Sequence, residues 1–209
     1  MTSFTLKILA VIFMLIDHIG LVLFPKIEIL RIIGRLSFPL FAYQIGTGFK
    51  HTKIKEKYIL RMLFFALISQ IPFMLVLKKV SAPFLINIGG TFTISLLALY
   101  CYEKVDNKYL KYITAFSVSL LSLILPVDYG FFGVLCVLLF YLLRKDKLMM
   151  GIAYIILVSL HCYIDGNIFS LPSIFALVFI FMYNGQKGPH DKYLFYTFYP
   201  LHLLILSLI

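Results

Sequence analysis

The sequence predicts an all-α polytopic membrane bundle of about nine transmembrane helices, with the N-terminus inside and the C-terminus outside. Three observations predict it. Of the 209 residues, 62% are hydrophobic and 13% charged, against about half and a quarter in soluble domains. Mean hydropathy is +0.99, so too few polar residues remain to solvate a surface. The apolar residues also fall in runs of roughly helical span length, about 20 residues for a ~30 Å hydrocarbon core, without the alternation of a membrane β-barrel.

The runs cover approximately 6–24, 29–49, 58–77, 84–102, 110–126, 129–144, 148–164, 168–184 and 193–209. The first is too long, and lacks the small-residue cleavage site, for a removable signal; it reads as a retained span. The fifth and sixth are short. The turns Pro126–Gly130 and Asp165–Asn167 are tight by composition and make antiparallel neighbours of the flanking runs. Pro39, Pro72 and Pro200 fall inside runs and should kink them. Cys101, Cys136 and Cys162 stand singly in apolar runs without metal-binding spacing, and read as packing residues. No metal site is expected. Residues 1–209 form a single domain, since no linker or low-complexity tract divides them.

The net charge of +10 does not point to nucleic acid, because no basic stretch is both long and detached from a span. It sets topology instead. With the N-terminus inside, the inner segments carry Lys7, the five cations from Lys50 to Arg61, Lys104, Lys108, Lys111, Arg144, Lys145, Lys147, Lys187 and Lys192. The outer side carries Lys26, Arg31, Arg35, Lys78 and Lys79. Excess Lys and Arg on the cytoplasmic side is the rule. One span more or fewer would break this alternation, which favours nine over eight or ten.

Ionisable groups in lipid are costly and mark function by default. The first span carries Asp17 and His18, the second Arg31 and Arg35, the seventh His161 and Asp165, and the ninth His202, one turn after Tyr199 and Pro200. At ~1.5 Å per residue, His18, His161 and His202 reach roughly 14–20 Å from the inner face, and Arg35 roughly 10 Å from the outer face. All four can meet in one polar cavity open to the outside. Arg31 and Arg35 share a helix face, as do His161 and Asp165. Asp17 and His18 are adjacent and do not. Asp17 is therefore expected to pair with an arginine of the second span, while His18 faces the cavity. The competing readings are structural: a buried ion pair, packing histidines, a snorkelling Arg31 and a solvated helix end at Asp165. Asp128 reads as a turn residue.

The most basic stretch, Gly46 to Lys57, contains Lys50, His51, Lys53, Lys55 and Lys57, with Arg61 one turn on. It suits the phosphates of an anionic cofactor such as coenzyme A, or topology alone. Gly46 and Gly48 permit close approach of a helix or a ligand.

The segments Leu15–Gly20, Arg31–Phe41, His51–Thr52, Tyr58–Arg61, Ser69–Phe73, Asp128–Gly130, Tyr183–Gly185 and Phe198–His202 are each weak alone. In this order, nearly end to end, they resemble the TraX family of membrane proteins, named for the enzyme that acetylates the N-terminus of conjugative pilin. That family is similar to larger membrane acyltransferases, which take acyl-CoA from the cytoplasm and modify an acceptor on the far side. A first-span histidine and nearby arginines matter in those proteins, which space the motifs differently. The resemblance implies His18 as catalytic histidine and Arg31 and Arg35 as the arginines, with Asp17 beside them. His202, Tyr199, His161 and Asp165 are secondary candidates. It implies a bacterial cytoplasmic membrane, and it does not carry the pilin substrate over.

The expected function is transfer of an acetyl group from cytoplasmic acetyl-CoA to an amine, such as a peptide N-terminus, or to a hydroxyl. The acceptor is a peptide or small molecule entering from outside. Two alternatives belong to other classes: a proton-coupled small-molecule transporter, and a structural subunit of a secretion or pilus apparatus.

Overall fold

The computed structural model describes residues 1–189 and 192–209. Its helices are α1 (Ser3–Val22), α2 (Glu28–Gly34), α3 (Ser37–His51), α4 (Lys55–Lys79), α5 (Ile88–Lys104), α6 (Leu110–Ser119), α7 (Leu121–Ile124), α8 (Gly130–Leu142), α9 (Lys147–Asp165), a 3-10 helix (Ile168–Phe175), α10 (Ala176–Phe181) and α11 (Lys192–Leu208). They follow the nine apolar runs one for one. Three runs are broken in two: the second into α2 and α3, the fifth into α6 and α7, the eighth into the 3-10 helix and α10. Among the described residues, only α1, α4 and α9 are each long and apolar enough to cross a bilayer unaided.

Two breaks have a visible cause. Pro39 has no N–H to donate to the carbonyl of Arg35, and the chain leaves helical pairing at Arg35 and Leu36. The bend therefore falls before Pro39 instead of at it. Pro172 removes the donor to Ile168 in the same way, and that segment winds as a 3-10 helix. Helix starts are capped where the sequence supplies a short polar side chain. Asn87 Oδ1 accepts from Gly89 N at 2.9 Å, and Asp146 Oδ1 from Met149 N at 2.9 Å.

Helix α4 shows how the bundle is meant to be solvated. Tyr58, Met62, Ala66, Ser69, Phe73 and Val76 are buried, one face at helical spacing. Leu60, Phe64, Leu67, Ile68 and Ile71 form the opposite face and are 57–71% exposed. A helix apolar on both faces has protein on one and lipid on the other. The chain is a membrane protein.

The main core joins α1, α3, α4, α5, α6, α8, α9 and α10. A smaller cluster of Met14, Phe73, Val76, Leu77, Tyr199 and Leu203 ties α1 to α4 and α11. The last helix thus returns to pack on the first and fourth. Cys136 and Cys162 are buried and Cys101 is partly so; all three are free. Between α4 and α5, Ile86 pairs in a parallel bridge with Val127. Its N–H donates to Pro126 O at 2.7 Å, and its carbonyl accepts from Asp128 N at 2.8 Å. This bridge holds the 126–130 turn against the start of α5 and so places Asp128 and Tyr129.

Candidate functional site

Helix α1 carries the site. Ser3, Lys7, Met14, His18 and Leu21 fall within about 60° of arc at 100° per residue, and all five line one cavity of about 830 Å³. Lys7 and His18 are separated by roughly 16 Å along the axis, so the cavity runs along most of a span.

At its deep end Asp17 meets the second run. Arg31 Nη1 lies 2.6 Å from Asp17 Oδ2, and Arg35 Nη2 lies 3.9 Å from Oδ1. Arg31 also donates to the Asp17 carbonyl at 3.1 Å. Gly34, between the two arginines, is what lets α2 come this close. A Cβ there would fall 2.7 Å from Asp17 Cα. Asp17 Oδ1 and Arg35 Nε are buried without hydrogen-bond partners, in a site that could take further polar groups.

His18 Nδ1 is 2.8 Å from His202 Nε2, and His202 Nδ1 is 2.8 Å from Phe198 O. His202 is stacked on Phe198, with centroids 4.8 Å apart, and is 5% exposed. Tyr199 lines the cavity beside them, its hydroxyl buried near the Ile88 backbone. Of the four residues expected to meet, His18 and Arg35 line the cavity, and His202 reaches it only through His18, a contact between residues 184 positions apart.

Asp128 and Tyr129 complete this end. Asp128 is more than a turn residue, since it lines the cavity and is an electrostatic neighbour of Arg35 and Asp17. Burial pushes its carboxyl up to about 6, against the pull of Arg35. Tyr129 has φ 60°, a left-handed conformation rare for a bulky residue. Its ring stacks on Phe38 at 3.9 Å. The sequence signals for both were their place in a turn between two apolar runs, which normally means only a turn, and their place in Asp128–Gly130, one of the segments that carry the family resemblance.

The other end is basic. Lys7, His51, Arg61 and Lys187 line the cavity there, with Thr47, Thr52 and Tyr183. The loop holding Lys187 is fixed to the start of α1, because Ser3 N donates to Gln186 O at 2.8 Å and Phe4 N to Lys187 O at 3.1 Å. Of the predicted basic group, His51 and Arg61 reach the cavity. Lys50, Lys53 and Lys57 are exposed elsewhere on the surface, and Lys55 donates to Phe49 O and lies 3.7 Å from Glu103. Lys7 and Lys187 were not singled out for this role by sequence, though the shared α1 face already joins Lys7 to His18. Gly48 lines the cavity, whereas Gly46 packs on Tyr141.

His161 and Asp165 are not part of this cavity. They pair with each other at 3.4 Å, and His161 stacks on Phe132 at 4.0 Å. Among the described residues no group of His, Cys, Asp and Glu is arranged to hold a metal.

The fold and cavity define a class: an all-helical membrane protein with a charged, imidazole-lined cavity among its helices. The chain matches the family described as TraX protein over residues 3–209, and it belongs to that family. It is 30% identical to the "Probable fimbrial assembly protein FimC, serogroup H1" of Dichelobacter nodosus, over 98% of this chain and 94% of that protein. It is 51% identical to an uncharacterized protein of Rickettsia prowazekii (strain Madrid E) over 55 residues, 26% of this chain and 22% of that one. No solved structure matches the chain.

Proposed function

We propose that this chain serves pilus or fimbrial assembly from the bacterial cytoplasmic membrane, and does so by acetyl transfer. The nine helical segments are its spans, N-terminus inside and C-terminus outside. The observation that carries the enzymatic part is one continuous cavity. It leads from the cations Lys7, His51, Arg61 and Lys187 to the Asp17, His18, Arg31 and Arg35 cluster. Its volume falls in the usual range for ligand sites, about 300–1,000 Å³.

Acetyl-CoA fits this shape. The four cations stand where its phosphates would enter, and the apolar middle, with Met14, Phe41 and Phe65, suits its thioester arm. His18 removes a proton from the acceptor amine or hydroxyl. The acceptor nitrogen or oxygen bonds to the acetyl carbon. Arg35, which has an unpaired Nε–H, stabilises the oxygen that becomes negative. The carbon–sulfur bond then breaks, and the proton held by His18 leaves with the coenzyme A thiol. The products are the acetylated acceptor and free coenzyme A. Asp17 keeps the two arginines in place.

A second reading has its own support in the name of the Dichelobacter relative, a probable fimbrial assembly protein. It assigns the chain a structural part in fimbrial assembly, in which the buried ion pair only fixes helix packing. The comparisons favour this assembly role; the cavity is what favours chemistry within it.

Equilibrium binding of acetyl-CoA to detergent-purified protein tests the donor assignment. Binding should weaken at least tenfold in Arg61→Ala/Lys187→Ala and stay unchanged in Lys53→Ala/Lys57→Ala. Folded wild type that binds no acetyl-CoA would overturn the transfer reading and leave the structural one. Substrate movement in sealed vesicles without acetyl transfer would instead favour a transporter.

A further inference from the structure

We infer that His202 is a positioning residue that decides which nitrogen of His18 carries its proton, leaving the Nε2 lone pair of His18 as the base. The inference rests on the acetyl-transfer reading for its use, but its core is a statement about protonation that stands apart from turnover.

The argument starts at Phe198. A carbonyl oxygen only accepts hydrogen bonds, so His202 Nδ1, 2.8 Å away, must carry hydrogen. His202 is 5% exposed, Arg31 and Arg35 line the cavity with His18, and no carboxylate pairs with either ring among the described residues; a positive charge here would be buried, uncompensated and beside other cations, so the pair is taken as neutral. A neutral ring bears one hydrogen, so His202 Nε2 is a bare acceptor. His18 Nδ1, 2.8 Å from it, is then the donor. One hydrogen on His18 is used, and its Nε2 is left with a free lone pair on a side chain that lines the cavity. The second bond on one ring thus sets the tautomer of the next. Turning the His202 ring over would put carbon against both Phe198 O and His18 Nδ1, so both bonds select the same orientation. Packing holds it there, with Phe198 on one face and Tyr199 edge-on, centroids 5.7 Å apart. The arrangement does for His18 what a buried carboxylate does for the histidine of a serine hydrolase, with an uncharged ring as the acceptor.

The test compares wild type, His202→Gln and His202→Phe. Glutamine Oε1 can still accept from His18 Nδ1–H; phenylalanine keeps the shape and cannot. Nitrogen-15 spectra of histidine-labelled protein in detergent, with His18 assigned by its loss in His18→Gln, read the tautomer directly. His18 should be protonated at Nδ1 and bare at Nε2 in wild type and His202→Gln, and should move towards the Nε2–H form in His202→Phe. A wild-type His18 protonated at Nε2, or at both nitrogens, overturns the inference. So does a His18 spectrum unchanged in folded His202→Phe. If that variant does not fold, wild type and His202→Gln still decide it. Where acetyl transfer is measured, kcat should fall about tenfold or more in His202→Phe, with KM unchanged and activity kept in His202→Gln. Absence of transfer in every protein alongside the expected spectra would count against the enzymatic reading alone.

Discussion

Asp17 and Arg31 join the first helix to the second through an ion pair of 2.6 Å, one turn before the second apolar run breaks between α2 and α3. Their side chains are 15% and 20% exposed, and Arg35 lies close enough to share the carboxylate. A partly buried pair of this kind is weak evidence of net stabilisation. Removing one partner alone is costly, because the other is left uncompensated.

That asymmetry gives the first prediction. Asp17→Asn and Arg31→Gln should each lower the melting temperature in detergent, and the double variant should lose less than the sum. The coupling is expected at about 1–3 kcal/mol. Additive losses would mean that the pair does not act as a unit.

Gly34 should be intolerant of a single methyl group. Its Cβ would fall 2.7 Å from Asp17 Cα, a backbone atom that cannot swing aside, whereas a Cβ at Gly46 meets Tyr141 at an ordinary 3.4 Å. Gly34→Ala should therefore destabilise by about 1–3 kcal/mol, and Gly46→Ala by much less. Equal melting temperatures for the two variants would contradict the close approach of α1 and α2.

Asp128 lies in the 126–130 turn, outside the helical segments, and burial raises its carboxyl from 3.8 to about 6. As pH rises from about 4 to 6, the unfolded chain gives up this proton while the folded chain keeps it. The stability this group contributes is thus full below pH 4 and lost as pH passes 6. Asp128→Asn removes the titration. It should be more stable than wild type at pH 7.5, by an amount on the order of 3 kcal/mol at most, and the gap should close near pH 4. A gap independent of pH would show that the carboxyl is not buried as described.

The two candidate histidines of α1 and α9 should separate cleanly. His161 packs on Phe132 and pairs with Asp165 away from the cavity, so His161→Phe should leave acetyl-CoA binding and acetyl transfer unchanged. Under the acetyl-transfer proposal, His18→Ala should reduce transfer by about 10²–10⁴, the usual contribution of a general base, with acetyl-CoA binding kept, since the proposed phosphate site is at the other end of the cavity. A variant at His161 that abolished transfer would require a different site.

Much of the architecture was legible because it is local. Apolar runs of span length mark the nine helical segments, and helical spacing separates the two faces of α4. Pro39 and Pro172 explain two breaks once backbone donors are counted, though from sequence Pro39 pointed to a kink inside a helix. The site was legible as a set of residue types at matching depth. Asp17, His18, Arg31, Arg35 and His202 are conspicuous because charge and imidazole are costly in lipid. The basic stretch from Lys50 to Lys57 was conspicuous for its charge density instead and is mostly directed elsewhere, because charge density along a chain does not say which way a helix end faces.

The sequence by itself determined that the chain lives in a membrane, how many helical segments it makes, and which polar residues must find partners there. Hydropathy and helical periodicity depend on neighbours a few residues away, so they survive without a fold. Only the tertiary structure decided who those partners are. It set His202 against His18, chose Arg31 over Arg35 for the short contact with Asp17, and kept His161 out of the cavity. It also drew in Lys7, Lys187, Asp128 and Tyr129. Those choices rest on which helices are neighbours and how each is turned about its axis. Both are settled by packing across the whole bundle, between residues far apart in the chain.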